Sequence, residues 1–399
     1  MVTTVSSALT NARPLTPWRA ILGFGLVSLA ADMVYEGARS ITGPLLAALG
    51  ASALVVGLVT GAGEAAALLF RLVSGPLADR TARYWALTIA GYGLTAVCVP
   101  LLALAPALGG AGLAVAAALI VAERIGKAIR SPAKSALLAE AAGAVGRGRG
   151  FAVHKALDQV GAFAGPLLVA ALVTASAGVI WPALAALAVP GAAAMVLLVW
   201  ISRRFPAPVP KAASGAVDGG RLPRRFHWFA ASAAAATGGL VTFGLISYHA
   251  SLTGRLPVAL VPVLYAGAMA AGALAALVSG HLYDRWGARV LYALPVLAAA
   301  TPALALSGST AAIVAGTLLW GAAVGVQDST VKALVADLVA APRRATAYGV
   351  FAAVQGVAAL VGGGLAGALY EQSPALLALV LGGAQITSAI LLTVTLRMR

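Results

Sequence analysis

Three stretches of this chain, residues 84–122, 159–202 and 290–327, contain no aspartate, glutamate, lysine or arginine. Each is about 40 residues long, about 60 Å as helix, or twice the roughly 30 Å hydrocarbon core of a bilayer. Each therefore holds two membrane spans, with a break near its middle: Pro106-Ala-Leu-Gly-Gly-Ala-Gly112, Thr174-Ala-Ser-Ala-Gly178 and Leu306-Ser-Gly-Ser-Thr310. A soluble fold fails on the same ground, because a chain that is 61% apolar has too little polar surface to cover a globule of 399 residues. A transmembrane barrel fails too, since its strands alternate apolar and polar residues where these runs are continuous.

A span length of about 20 residues predicts helices over 18–40, 53–75, 84–105, 112–131, 150–172 and 179–201. A second set follows over 228–249, 257–280, 289–307, 311–331, 346–369 and 375–396. The expected fold class is thus an all-α integral membrane protein of about twelve transmembrane helices. The formal net charge of +15 would suggest a nucleic-acid partner in a soluble protein, but here it sits in alternate loops. Arg13, Arg19, Arg80, Arg83, Lys134, Arg147 and Arg149 fall on one side, with Arg203, Arg204, Lys211, Arg221, Arg224 and Arg225. Arg285, Arg289, Arg343, Arg344, Arg397 and Arg399 join them, and Arg255 is the main exception. Such an excess places both termini in the cytoplasm and makes the lipid bilayer, not nucleic acid, the partner of this charge. The first 17 residues lack an apolar core and read as a short cytoplasmic tail. The single cysteine, Cys98, lies in an apolar span, leaving neither a disulfide framework nor a thiol metal cluster to expect.

The two sets of six are related. Gly75-Pro-Leu-Ala-Asp79-Arg80-Thr-Ala-Arg83 follows the second span and Gly280-His-Leu-Tyr-Asp284-Arg285-Trp-Gly-Ala-Arg289 follows the eighth, the aspartates standing 205 positions apart. Ala136-Leu-Leu-Ala-Glu140 matches Ala333-Leu-Val-Ala-Asp337 at an offset of 197, which also carries Asp158 onto Gln355 and Gly165 onto Gly362. A parallel duplication follows, with halves 18–201 and 228–399 joined by a basic, proline-rich cytoplasmic linker over 202–227.

The Gly-x-Leu-x-Asp-Arg-x-Gly-x-Arg pattern after the second and eighth helices resembles the signature loop of the major facilitator superfamily. The resemblance extends over essentially the whole chain. The second copy, with Gly287, is nearly complete; the first has Ala82 in place of glycine and Tyr84 in place of a basic residue. It implies two pseudo-symmetric six-helix bundles working as a secondary transporter by alternating access, and a monomer. The segment Ala122–Arg130 with Ser131-Pro132 is similar to a group of prokaryotic members whose substrates are mostly unassigned. Gly161-Ala-Phe-Ala-Gly165-Pro166 resembles an element of proton-coupled drug antiporters, although Ala152 stands where that element has an earlier glycine; plain small-residue packing explains it as well.

Ionisable groups inside apolar spans are costly and are functional candidates by default. Asp32, Glu36 and Arg39 share one face of the first span, with Tyr35 among them; Glu64 lies in the second, Glu123 and Arg124 in the fourth and Asp158 in the fifth. A carboxylate in a partly dry cavity exchanges a proton near neutral pH, so Asp32, Glu36, Glu64, Glu123, Arg124 and Asp158 are proton-coupling candidates. The static alternative pairs Glu123 with Lys127 one helical turn on. Acidic groups outnumber basic ones in the deep parts of the first-half spans on this reading, which points to a lipophilic or cationic cargo. Arg39, Tyr35, Gln159, Tyr248, Gln327, Asp328 and Gln355 are candidates to line the substrate cavity. In the loops, Gly75 and Gly280 permit close helix approach, and Asp79 or Asp284 suits the positive end of a helix in the opposite half, making these loops, with Arg80, Arg83, Arg285 and Arg289, a conformational switch. Topological anchoring is the plainer role for their arginines.

His154 stands four residues before Asp158, but no His-x-x-x-His pair or paired carboxylate–histidine set supports metal transport, so no metal site is expected, and no cofactor. The phosphate-binding loop of ATP-driven pumps is missing as well. An enzyme would need clustered nucleophile, base and electrophile, which the spacing does not offer. The expectation is a transporter of a small molecule in the inner membrane, driven by protons, with export placed ahead of uptake of a metabolite through Arg39 and Arg124.

Overall fold

The computed structural model describes residues 15–206, 222–340 and 343–398. Arg13, Lys211, Arg221 and Arg399, nearly all of the expected tail and most of the expected linker lie outside the described residues. The described residues form helices and no strand. Ten helical stretches among the described residues are long and apolar enough to cross a bilayer. Two of these, Tyr84–Gly143 and Val258–Ala305, are 60 and 48 residues long, and each is broken at a glycine, Gly109 (φ 54°) and Gly287 (φ 63°). Each counts as two crossings, so the described residues cross twelve times.

The spans are Pro17–Ser40, Ala53–Thr81, Tyr84–Leu101, Gly112–Gly143, Arg147–Ala175 and Trp181–Ser202, then Arg224–Leu252, Val261–Trp286, Ala293–Ala305, Thr310–Leu338, Arg344–Gln372 and Pro374–Arg397. Every predicted span has its helix, but several run further toward the end of the bundle where the termini lie. The fourth continues twelve residues past the expected end at 131, taking in Lys134, so this lysine belongs to a span and not to a loop. The cause is packing: Ala133, Leu137, Leu138, Ala141 and Ala142 bury one face of the extension. Local chemistry sets several starts. Ser52, Thr242 and Ser373 cap helices by accepting from Val55, Leu245 and Leu376 backbone N–H groups, and Pro17 and Pro374 occupy first turns where no N–H is needed. The seventh span is interrupted over 239–242 before Thr242 restarts it, and the tenth contains a π-helical turn at Gln327–Val331.

Glycines bring the helices together. A Cβ on Gly161 or Gly165 of the fifth span would lie 2.2 or 2.3 Å from the carbonyl oxygen of Leu29 or Met33 in the first. The second half repeats the contact, with Gly362 against Gly238. Gly165 and Gly362 are 197 positions apart and Met33 and Gly238 are 205 apart, the offsets already seen in sequence. At matching positions of the two loops Gly287 (φ 63°, ψ −154°) and Ala82 (φ 54°, ψ 15°) both have positive φ but make different turns, and Ala82 is left-handed helical. For an alanine that geometry costs roughly 1–2 kcal/mol.

Buried apolar side chains form separate cores. At the end opposite the termini one core joins the halves, uniting Ile41, Leu45 and Val173 of the first with Phe243, Tyr265 and Trp320 of the second. Toward the termini each half has its own core, around Phe24 and Leu137 in one and Phe226 and Phe351 in the other. The bundle is sealed at one end and divided into two cores at the other, where the second and eleventh spans still touch at Leu72 and Gly349. Among the described residues neither Asp79 nor Asp284 is bonded to the opposite half; Asp79 accepts from Tyr84 of its own half at 3.3 Å. The expected seat of these aspartates on the opposite half is not made in this conformation, because the halves have separate cores there.

Candidate functional site

Polar groups gather between the halves, above the sealed end. Arg39 donates to Glu64 across the first and second spans at 2.7 Å, and Arg124 of the fourth approaches the same carboxylate at 3.7 Å and Glu123 at 3.8 Å. Gly63 leaves the space for Arg124, whose Cγ would stand 3.0 Å from a Cβ there. Arg124 also donates to the Tyr35 hydroxyl and lies over its ring, as does the Lys127 ammonium, 3.6 Å from the ring centre. Behind this layer Thr95 donates to Glu123 at 3.0 Å and receives a bond from Arg130, which covers Tyr92. Buried charges are tolerated when each is bonded in this way.

One turn toward the divided end, Asp32 of the first span and Asp158 of the fifth face each other within hydrogen-bonding reach. The close backbone approach at Gly161 holds these two helices together beside them. Two carboxyl groups this close can share a single proton. Lys155 contacts Asp158 at 2.6 Å, and Lys134 donates to Ser28, which also bonds His154 at 2.9 Å.

The second half answers with neutral groups. Gln327, set on the π turn, and Gln355 both donate to Thr237 Oγ1 at 3.2 Å. Thr237 stands 205 positions after Asp32 and Gln355 stands 197 after Asp158, so this node is the counterpart of the carboxyl pair. Gln327 Oε1 is buried without a partner among the described residues. Four hydrogen bonds join the halves near the seal: Tyr265 to Glu36 at 2.5 Å, Tyr248 to the Ala51 carbonyl at 2.8 Å, Leu54 N–H to Glu371 at 3.0 Å and Thr60 with Thr242 at 3.1 Å.

Several sequence expectations change here. Glu123 is held by Thr95 and Arg124, while Lys127 turns to Tyr35, so the expected pair one turn apart is not made. Tyr248 is a buried part of the seal, not of a cavity wall. Gln159 is half-buried with no hydrogen bond among the described residues, and Asp328 pairs with Lys332 at 3.7 Å, both largely exposed. The expected excess of deep acidic groups is overturned: Arg71, Lys127, Arg130 and Lys134 also line the first half. Arg71 was legible by its spacing of seven from Glu64, two turns along one face; Lys127 was read only as a partner for Glu123, Lys134 fell beyond the span boundary, and Arg130 lay inside a motif quoted for its likeness. The hydroxyl network of Ser28, Tyr92 and Thr95 carried no sequence signal, since such residues are ordinary in apolar helices.

The sequence profile of the Major Facilitator Superfamily matches residues 24–256 and 228–399. Among curated proteins, uncharacterized proteins of Mycobacterium tuberculosis and Mycobacterium bovis are each 52% identical over 394 residues, 97% of this chain and 95% of theirs. Among solved structures, a mutant form of the nucleoside transporter NupG superposes with a TM-score of 0.79 at 13% identity, over 95% of this chain and 100% of that one. A bacterial homolog of the human lysosomal transporter Spinster, in an inward-facing and unoccupied conformation, gives 0.66 at 15% identity, covering 95% of each chain. A POT family transporter in complex with a thioalcohol-conjugated peptide gives 0.73 at 12%, over 94% and 96%. At these identities the solved structures establish the fold alone, while the profile, matching both halves, establishes the family: the chain belongs to the Major Facilitator Superfamily and is a multi-pass membrane transporter.

Proposed function

We propose that this transporter exchanges protons for a small molecule that it exports, and that the Asp32–Asp158 pair carries the proton. The observation behind this is the meeting of two carboxyl groups from different spans toward the divided end of the bundle. The excess of basic residues at the end bearing the termini supports a cytoplasmic place for that end, and on this reading the conformation described is open inward. In it, cargo entering from the cytoplasm meets Glu64, Arg39 and Arg124 and displaces the shared proton. The halves then rock, the four bonds at the seal break, and cargo leaves outward as the pair is protonated again. Each bond contributes about 1 kcal/mol net, so cargo contacts suffice to offset them. The likeness of Gly161-Ala-Phe-Ala-Gly165-Pro166 to the antiporter element supports exchange, because Gly161 and Gly165 are the residues that press the fifth span onto the first beside Asp32.

Everted inner-membrane vesicles with an acidified lumen test the direction. A cargo compound is expected to release luminal protons and to accumulate inside, and both are expected to vanish when the pH gradient is collapsed. Inward accumulation of the same compound by intact cells would exclude export.

A further inference from the structure

The first and fifth spans lie side by side, and what meets across them repeats every four residues. Leu29 and Met33 of the first press on Gly161 and Gly165 of the fifth, and Asp32 faces Asp158. Toward the end bearing the termini, Ser28 stands four residues before Asp32 and His154 four before Asp158, and Ser28 Oγ and His154 Nε2 are 2.9 Å apart. Residues four apart share one face of a helix. The carboxyl pair thus has a second rung one turn away, a hydroxyl and an imidazole, and both are buried, Ser28 at 1% exposed and His154 at 6%.

Ser28 Oγ meets three partners: Lys134 Nζ at 3.2 Å, the Tyr92 hydroxyl at 3.2 Å and His154 Nε2 at 2.9 Å. A hydroxyl accepts two hydrogen bonds and donates one, and an ammonium only donates. Two arrangements satisfy all three bonds. In one, Tyr92 donates to Ser28 and Ser28 donates to His154; in the other, His154 donates to Ser28 and Ser28 donates to Tyr92. The first holds the ring with its proton on Nδ1 and the second with its proton on Nε2, so this site accommodates both neutral tautomers. A ring that takes a proton on one nitrogen and gives one up from the other needs both. The charged groups around it are Lys134 of the fourth span and Asp158 and Lys155 of its own.

We propose that His154 relays the exchanged proton between the Asp32–Asp158 pair and the cytoplasm, with the Ser28 hydroxyl as its link to the pair. The proposal deepens the exchange reading and rests on it. When the pair is emptied, its carboxyl O–H gives a proton to Ser28, Ser28 gives its own to Nε2, and Nδ1 gives its proton to water. The ring ends neutral in the other tautomer, and Ser28 turns its hydrogen to Tyr92. Asp32 and Ser28 are neighbours one helical turn apart, a gap that rotation of the carboxyl or one water bridges.

The test needs no cargo. Protons are released by a light flash from a caged acid in a solution of the purified full-length protein in detergent, and the infrared carbonyl stretch of protonated carboxyl groups is followed in time. A rising signal that Asp32→Asn removes reports the pair. His154→Ala is expected to slow that rise at least about 10-fold and to leave its final height unchanged. His154→Gln, which keeps a hydrogen bond to Ser28, should be as slow, and melting temperatures verify that both variants are folded. Imidazole added to the alanine variant should restore the native rate. Pyrazole, a ring of the same size that stays unprotonated near neutral pH, should not. A native rate in both variants, or rescue by pyrazole as well as imidazole, would overturn the relay and leave the exchange standing. If the native protein gives no signal that Asp32→Asn removes, the pair holds no exchangeable proton, and the exchange reading falls together with the relay.

Discussion

Asparagine in place of Asp32 is expected to abolish proton-driven transport while leaving a folded, cargo-binding protein. Asp32 and Asp158 face each other, and on the proposed reading they share the proton that is exchanged. The amide introduced by Asp32→Asn would keep a hydrogen-bond donor toward Asp158 and remove the proton that can be released. With no proton to release, uphill transport in proteoliposomes under an imposed pH gradient should fall to background. Downhill counterflow, which needs no net proton movement, should keep most of its rate. Loss of both together, with the melting temperature unchanged, would make Asp32 a cargo ligand instead. Asp158→Asn should behave in the same direction, with the further loss of the Lys155 contact at 2.6 Å.

Valine in place of Gly57 should drive the sealed end apart. Here the second span meets the eleventh with no room to spare: a Cβ on Gly57 would lie 2.1 Å from the Gly363 carbonyl oxygen, and one on Gly363 would lie 2.5 Å from that of Gly57. Both obstacles are backbone, which no rotamer change can clear. Overpacking of this kind costs about 1–3 kcal/mol, a factor of roughly 5 to 150 in the balance between conformations. In a Cys98→Ser background carrying Ala51→Cys at the seal, an impermeant maleimide should therefore label the Gly57→Val protein at least about 5-fold faster. Gly382→Val, where a Cβ meets nothing within 4 Å, should leave labelling as it was. Equal labelling in all three would mean that this contact does not close the seal.

The fold was largely written in charge-free runs, because a bilayer fixes both span length and backbone hydrogen bonding, and the repeat was readable at two offsets that the contacts at Gly165 and Gly362 reproduce. The first loop departs from the second: Ala82 takes a left-handed turn where Gly287 is turned differently, and Tyr84 bonds Asp79 in the copy that lacks the usual basic residue there. The candidate site was legible only in part. Intramembrane carboxylates announce themselves by their cost, so Asp32, Glu64, Glu123 and Asp158 stood out. Pairing did not, since it depends on which helices face one another: Arg39 with Glu64 and Tyr265 with Glu36 join residues 25 and 229 positions apart. Basic residues near span ends read as topology signals, and only the continuation of the fourth helix to Gly143 brings Lys134 inside the bundle. The aromatic floor of Phe243, Tyr265 and Trp320 is likewise a product of packing between the seventh, eighth and tenth spans.

Rocking of the two halves is the central claim, and a cross-link at the seal tests it most directly. The Thr60 and Thr242 hydroxyls, on opposite halves, are 3.1 Å apart. With cysteine at both positions and Cys98→Ser, oxidation should join them while the seal is closed, transport should fall to background, and reduction should restore it. Cross-linked protein that transports at the rate of the reduced protein would contradict the account, because a seal that never opens leaves no path outward.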